Sequence, residues 1–174
     1  GADAVMLSAE SAIGDHPVAA VRTMNRIAEQ VEHDPLFRAF VNADKPPPEA
    51  TSADAISAAA AQAAETLAAS AIVSYTATGS TAARAARERP SVPILGLTPK
   101  METARRLTLV WGVHCMQVRD PTSFNDMVEL AFEAALTDSF ADVNDRLVII
   151  AGIPFGTAGA TNVMRVARVL PSKA

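Results

Sequence analysis

The stretch Ala71–Leu97, AIVSYTATGSTAARAARERPSVPILGL, decides how this chain folds. Two short apolar runs, AIVSY and VPILGL, flank a hydroxyl-rich turn and an alanine- and arginine-rich segment, STAARAARER. The runs have strand length and the intervening segment has helical composition, so the whole predicts a β-α-β unit. Such a unit makes its two strands parallel and its crossover right-handed.

The same rhythm continues outward in both directions. Downstream, METARRLTL predicts a helix, VHCMQV a strand, and Ser123 with Asp126 a capped helix to about Phe140. RLVIIAG is again a strand run, and TNVMRVARVL alternates like a strand with one half-exposed face. The connection GIPFGTAGA between these last two is too short for a parallel crossover, so the final strand is expected to be antiparallel. Upstream, Thr51 and Asp54 give a capping-box-like start to an alanine-rich helix running to about Ala69. Residues 52–174 therefore predict a three-layer α/β domain, an αβα sandwich on a mostly parallel five-stranded sheet.

The first forty residues have a different organisation. DAVML, Asp3–Leu7, is strand-like, and Pro17 suits the first position of a helix whose apolar residues recur as Val18, Val21, Met24, Ile27, Ala28 and Val31. The pattern dies near HDPLF, and NADKPPPEATS follows; Pro46–Pro48 can lie inside neither a helix nor a central strand. Residues 1–42 thus predict one β-α unit that cannot close a sheet alone, and 43–51 a proline-rich linker. The opening GADAVML reads as the interior of a longer chain.

Composition narrows the function classes. The 174 residues are 49% apolar and 20% charged, with a net charge of −4, which argues against a nucleic-acid surface. Arg84, Arg87 and Arg89 still offer a local positive spot to a small anion. One cysteine, Cys115, allows neither a disulfide framework nor a cysteine-rich metal site, and fits a reducing cytosol. No apolar stretch approaches the roughly 20 residues of a membrane span, and no signal peptide opens the chain.

Chemistry is expected at one end of the sheet. Thr76, Thr78, Gly79, Ser80 and Thr81 follow a strand and open a helix, where amides lack intrahelical partners and the helix dipole favours an anion. The competing reading is a plain helix cap by Thr78 or Ser80. A second loop, AGIPFGTAGATN (Ala151–Asn162), leaves another strand end; Gly152, Gly156 and Gly159 allow close backbone approach, with Thr157 beside them. It is no Walker loop, and alone it reads as a glycine-rich hairpin connection. Micromolar binding needs about −8 kcal/mol. One cap cannot supply that, whereas two loops at one edge can.

Other titratable residues form no catalytic set. His114 and Cys115 are neighbours on a strand and face opposite ways. His16 and His33 have no partner at metal-ligand spacing, so no metal site is expected. Asp142 and Asp145 read as a solvated turn. Ser8 and Glu10, just past the first strand run, read either as a site hydroxyl and carboxylate or as a helix cap.

The chain resembles the pyruvate kinase family. GADAVMLSAESAIGDHPVAAVRTMNRIAEQVE is similar to the last strand and helix of that family's (β/α)8 barrel, through Asp3, Met6, Leu7, Ser8, Glu10, Gly14 and Pro17. Ala9 and Ser11 depart from the usual glycine and threonine. TATGSTAARAARERPSVPILGLTP, ARRLTLVWGV and GTAGATNVMRV are similar, in order and spacing, to the family's C-terminal domain. The resemblance implies phosphoryl transfer from phosphoenolpyruvate to ADP with Mg²⁺ and usually K⁺, in a cytoplasmic homotetramer. It places the catalytic lysine and metal ligands before Gly1, and leaves only Ser8 and Glu10 at the periphery of the active site. No cofactor is therefore expected on this chain, nor catalysis by it alone.

The resemblance further implies a regulatory C-terminal domain, with an effector phosphate on Thr76, Thr78, Gly79, Ser80, Thr81, Gly156, Thr157 and Gly159. Bisphosphate-responsive relatives carry an arginine on the helix matching Phe124–Phe140, where this chain has Asp126, Glu129 and Glu133, and some carry a lysine at Ala77. A sugar phosphate or a nucleotide monophosphate such as AMP is the expected effector. The alternative is a free-standing phosphometabolite-binding or oligomerisation module.

Overall fold

The computed structural model describes residues 2–43, 45–157 and 159–171. They form two compact units that divide between Pro47 and Pro48. The first holds three helices, α1 (Ala9–Ala12), α2 (Pro17–Glu32) and α3 (Pro35–Ala43). Pro17 starts α2 as its composition requires.

Two features of this unit differ from the sequence expectation. Asp3–Leu7 lies in no strand, because a strand exists only through ladder bonds to neighbours and none of the described residues supplies them. Within HDPLF the chain becomes helical again: the Asp34 carboxylate accepts from the Leu36 amide at 2.8 Å and caps α3, with Pro35 at its first position. None of the three helices buries a residue, and Val18 and Ile27 on the apolar stripe of α2 are 61% and 59% exposed.

The second unit runs α4 (Ser52–Thr66), β1 (Ala71–Tyr75), α5 (Ser80–Arg87), β2 (Ile94–Thr98), α6 (Met101–Leu107), β3 (Val113–Gln117), α7 (Phe124–Thr137), β4 (Arg146–Gly152) and β5 (Thr161–Arg168). Its five strands lie in the order β3-β2-β1-β4-β5. The first four are parallel, and β5 returns antiparallel beside β4, pairing Val148 with Val166. This is the mixed α/β sheet that the spacing of apolar runs predicts.

Alternation along the buried strands builds a core on each face. On one side Ala71, Val73, Tyr75, Leu147 and Ile149 meet Met127, Ala131, Ala134 and Ala135 of α7. On the other, Ile72, Ile94, Val148 and Ile150 meet Ala60 and Ala64 of α4 and Ala85 and Ala86 of α5. Each fully buried Ile, Leu or Val contributes about 1.5–3 kcal/mol, and the alanine faces let the helices sit close to the sheet. Thr51 and Ser123 cap α4 and α7, accepting from the amides of Asp54 and Asp126. No helix among the described residues is long and apolar enough to cross a membrane.

Because β1 and β4 are adjacent and parallel, their carboxyl ends open on one rim. The β1–α5 loop and the β4–β5 loop both leave from it.

Candidate functional site

These two loops line one open pocket. Tyr75, Thr76, Ala77, Thr78, Ser80 and Thr81 form one wall; Gly152, Gly156, Thr157, Gly159, Ala160 and Thr161 form the other. Of the residues singled out in the sequence, all but Gly79, Ser8 and Glu10 are in this lining.

Gly79 shapes the wall from behind. It is the N-cap of α5 and has φ +91°, a left-handed conformation that a side chain disfavours. Its amide donates to the buried Thr76 hydroxyl at 2.9 Å, which fixes the turn. No side chain caps α5, so the plain capping role expected of Thr78 or Ser80 is not what these residues do. Thr78 Oγ1 instead donates to Ser80 Oγ at 3.2 Å along the pocket rim. Helix α6 fastens the loop from outside: Thr103 Oγ1 donates to the Ala77 carbonyl at 3.1 Å, and Arg106 to the Thr78 carbonyl at 2.6 Å. With its carbonyls held outward, the turn leaves hydroxyls and first-turn amides for the pocket.

The opposite loop is anchored at its neck. Asn162 brackets Ile153, accepting from its amide at 2.9 Å and donating to its carbonyl at 2.6 Å. Phe155 packs edge-on against Tyr75 with ring centroids 5.3 Å apart. The Tyr75 hydroxyl donates to Asp120 at 2.6 Å; burial, and then this carboxylate, hold its pKa well above the ordinary phenol value. Gly156 and Gly159, with φ +87° and +74°, turn the loop back over the rim. The walls join through Thr81 and Thr161, whose hydroxyls lie 2.8 Å apart in the interior.

Sequence reasoning missed Tyr75 in the lining, and marked Ala160 and Thr161 only as part of the loop Ala151–Asn162. The signal was positional: Tyr75 is the last residue of one rim strand, and Thr161, directly after Ala160, is the first residue of the antiparallel return. The positive spot expected of three arginines does not form. Arg84 and Arg87 both grip the buried Asp54 carboxylate, and Arg89 stacks over Trp111 at 4.8 Å. Among the described residues, no charged side chain lines the pocket. What it offers an anion is a neutral set of hydroxyls, backbone N–H groups and the positive end of α5.

Ser8 and Glu10 lie in the first unit at the start of α1. The Glu10 carboxylate accepts from the Ser8 amide at 3.1 Å, and backbone hydrogen bonds from its own amide and that of Ser8 lower its pKa. Ser8 stands at the N-cap of α1 with no side-chain cap hydrogen bond of its own. Among the described residues no three His, Cys, Asp or Glu side chains come together to hold a metal ion. One carboxylate already engaged by backbone does not make a Mg²⁺ or K⁺ site.

A parallel sheet with one antiparallel edge strand and an open pocket at its carboxyl rim defines an α/β domain with the topology in which ligands are bound beyond the strand ends. Residues 54–167 match the family model described as pyruvate kinase, alpha/beta domain, and the chain belongs to that family. It is 53% identical over 169 residues to a pyruvate kinase of Methylorubrum extorquens, covering 97% of this chain and 35% of that protein. Pyruvate kinases of Agrobacterium vitis and Clostridium acetobutylicum are 44% and 36% identical over 166 residues, covering 95% of this chain and 35% of each relative. The chain thus spans about a third of the length of these relatives.

Proposed function

We propose that this chain is the regulatory portion of a pyruvate kinase, and that the pocket between the β1–α5 and β4–β5 loops binds a phosphorylated effector. The parent enzyme would transfer a phosphoryl group from phosphoenolpyruvate to ADP in the cytoplasm, as a homotetramer using Mg²⁺ and K⁺. Phosphoryl transfer rests on metal ions and positioned cations, and the described residues offer no such set. The reading assigns effector binding to this chain and transfer to the parent enzyme as a whole.

The observation that carries this reading is the shared pocket. Loops 80 residues apart in sequence converge on one concavity, and its walls are joined by the Thr81–Thr161 contact. The uncapped N-terminus of α5 supplies amides for a phosphoryl group, with Thr76, Thr78, Ser80 and Thr157 as hydroxyl partners. A lining without a cationic side chain suits one phosphate better than two. A sugar monophosphate or AMP is the expected ligand.

A thermal-shift panel of sugar phosphates and nucleotides tests this. A ligand at a hundred times its Kd adds about 2.7 kcal/mol of stability. A shift with a monophosphate, abolished in the Thr78→Ala/Gly156→Val double variant, is the expected result. No shift with any phosphate compound leaves the domain as an oligomerisation scaffold instead.

A further inference from the structure

The stripe of α5 that opens at the pocket does not end there. Ser80, Arg84 and Arg87 are spaced i, i+4 and i+7 and so share one helix face. Ser80 lines the pocket, while Arg84 and Arg87 both donate to the carboxylate of Asp54, which is 0% exposed. Asp54 lies in the first turn of α4, its own amide held by the Thr51 hydroxyl at 3.2 Å. Its carboxylate also accepts from the amide of Glu49 at 2.9 Å, one residue beyond Pro46–Pro48. The Glu49 side chain comes within 3.9 Å of Arg84.

We propose that Asp54 is a positioning residue that makes helix α5, whose N-terminus opens on the pocket, and the end of the proline segment at Glu49 one mechanical unit. A buried carboxylate is tolerated only while its partners surround it. Any shift of α5 that moves its two arginines must therefore carry the Glu49 backbone along or break the set. Ordering of the α5 N-terminus by a phosphate then tightens the exit of the linker. This coupling rests on the effector reading above; the clasp itself does not.

Glutamyl endopeptidase supplies the readout, because cleavage after Glu49 needs that backbone to leave the Asp54 carboxylate. Site-specific cutting at Glu49–Ala50 is followed by mass spectrometry in the full chain and in Asp54→Asn. Inorganic phosphate, glucose 6-phosphate and AMP are the probes, and binding is measured separately by calorimetry. Asp54→Asn is expected to be cut about tenfold faster, as for a segment whose local opening has become easier. A probe that binds is expected to slow cutting in the parent chain but not in the variant, even though the variant still binds it. Equal cutting rates in parent and variant overturn the clasp. A probe that binds without slowing the parent overturns the coupling. Failure of every probe to bind overturns the effector reading, and the comparison without probe still decides the clasp. Should Asp54→Asn not fold, Arg87→Met is cut in its place, and hydrogen exchange of the segment from Pro48 in the parent chain gives the second measurement.

Discussion

The hydroxyls of Thr81 and Thr161 lie 2.8 Å apart with both residues buried, a side-chain link between the two walls of the rim across 80 residues of sequence. Thr81 is in the first turn of α5, and Thr161 opens β5 opposite Gly152. Either hydroxyl can donate, so the pair keeps one proton free for a third partner.

Replacing Thr161 by Val preserves shape but leaves the Thr81 hydroxyl buried without its partner. A buried unsatisfied hydroxyl costs about 1–3 kcal/mol. Urea denaturation of Thr161→Val is expected to show a loss of that size, and Thr81→Val/Thr161→Val to recover part of it. If the double variant loses the sum of the two single losses, the hydroxyls do not act as a pair.

Gly156 makes a different demand. Nothing lies within 4 Å of where its side chain would be, yet its φ is +87°. Gly156→Val is therefore strained by conformation, not by contact, at about 1–3 kcal/mol for a residue held in a sparsely populated region. A local loop can escape that cost by rearranging. The expected result is a melting temperature close to that of the parent chain, with the stabilisation by glucose 6-phosphate or AMP lost. A variant that keeps the ligand-induced shift shows that the loop conformation plays no part in binding.

What could be read in the sequence follows from where the information sits. Strands β1, β2 and β4 announce themselves because both their faces are buried, which forces continuous runs such as Leu147–Ala151. The antiparallel turn of β5 follows from loop length alone. Helix α3 was hidden in the fading periodicity after Val31, although Asp34–Pro35 is a helix-start pair. Asp3–Leu7 has the composition of a strand without the neighbours that make one. At the site, glycines and hydroxyls marked both loops. The fate of Arg84 and Arg87 could not be foreseen, because their partner Asp54 is 30 residues away and is brought to them only by the packing of α4 on α5.

Cys115 faces Gly96 on the neighbouring strand, its sulfur 3.2 Å from where a Gly96 side chain would begin. Burial pushes its thiol up to about 11. The thiolate is the reactive form, so at pH 8 labelling by a disulfide reagent is expected to be on the order of a hundredfold slower than for an exposed cysteine. The rate should rise with pH until about pH 11 without levelling off near pH 9. Labelling at the rate of a free thiol at pH 8 contradicts this placement.

Acid should find Asp126 before it finds the core. Arg119 holds this carboxylate in a two-pronged pair, one arm at 2.7 Å, and the amide and hydroxyl of Thr122 donate to it at 2.7 and 2.9 Å. The arginine first, and then the Thr122 amide, lower its pKa far below the usual carboxylate range. A carboxyl group that binds its proton less readily when folded adds stability above its unfolded pKa of about 3.9, and loses it as the pH falls toward the folded value. Asp126→Asn removes the pair and also the ionised acceptor at the start of α7, where the helix dipole favours a negative charge. The variant is expected to have a lower urea midpoint than the parent chain at pH 7. That gap should narrow progressively below about pH 4. Subtracting the variant's curve from the parent's cancels the carboxylates common to both, including Glu10, Asp54 and Asp145, whose pKa values are also lowered. A gap that stays constant from pH 7 to pH 3 shows that Asp126 supports α7 by shape alone, and that its charge contributes nothing.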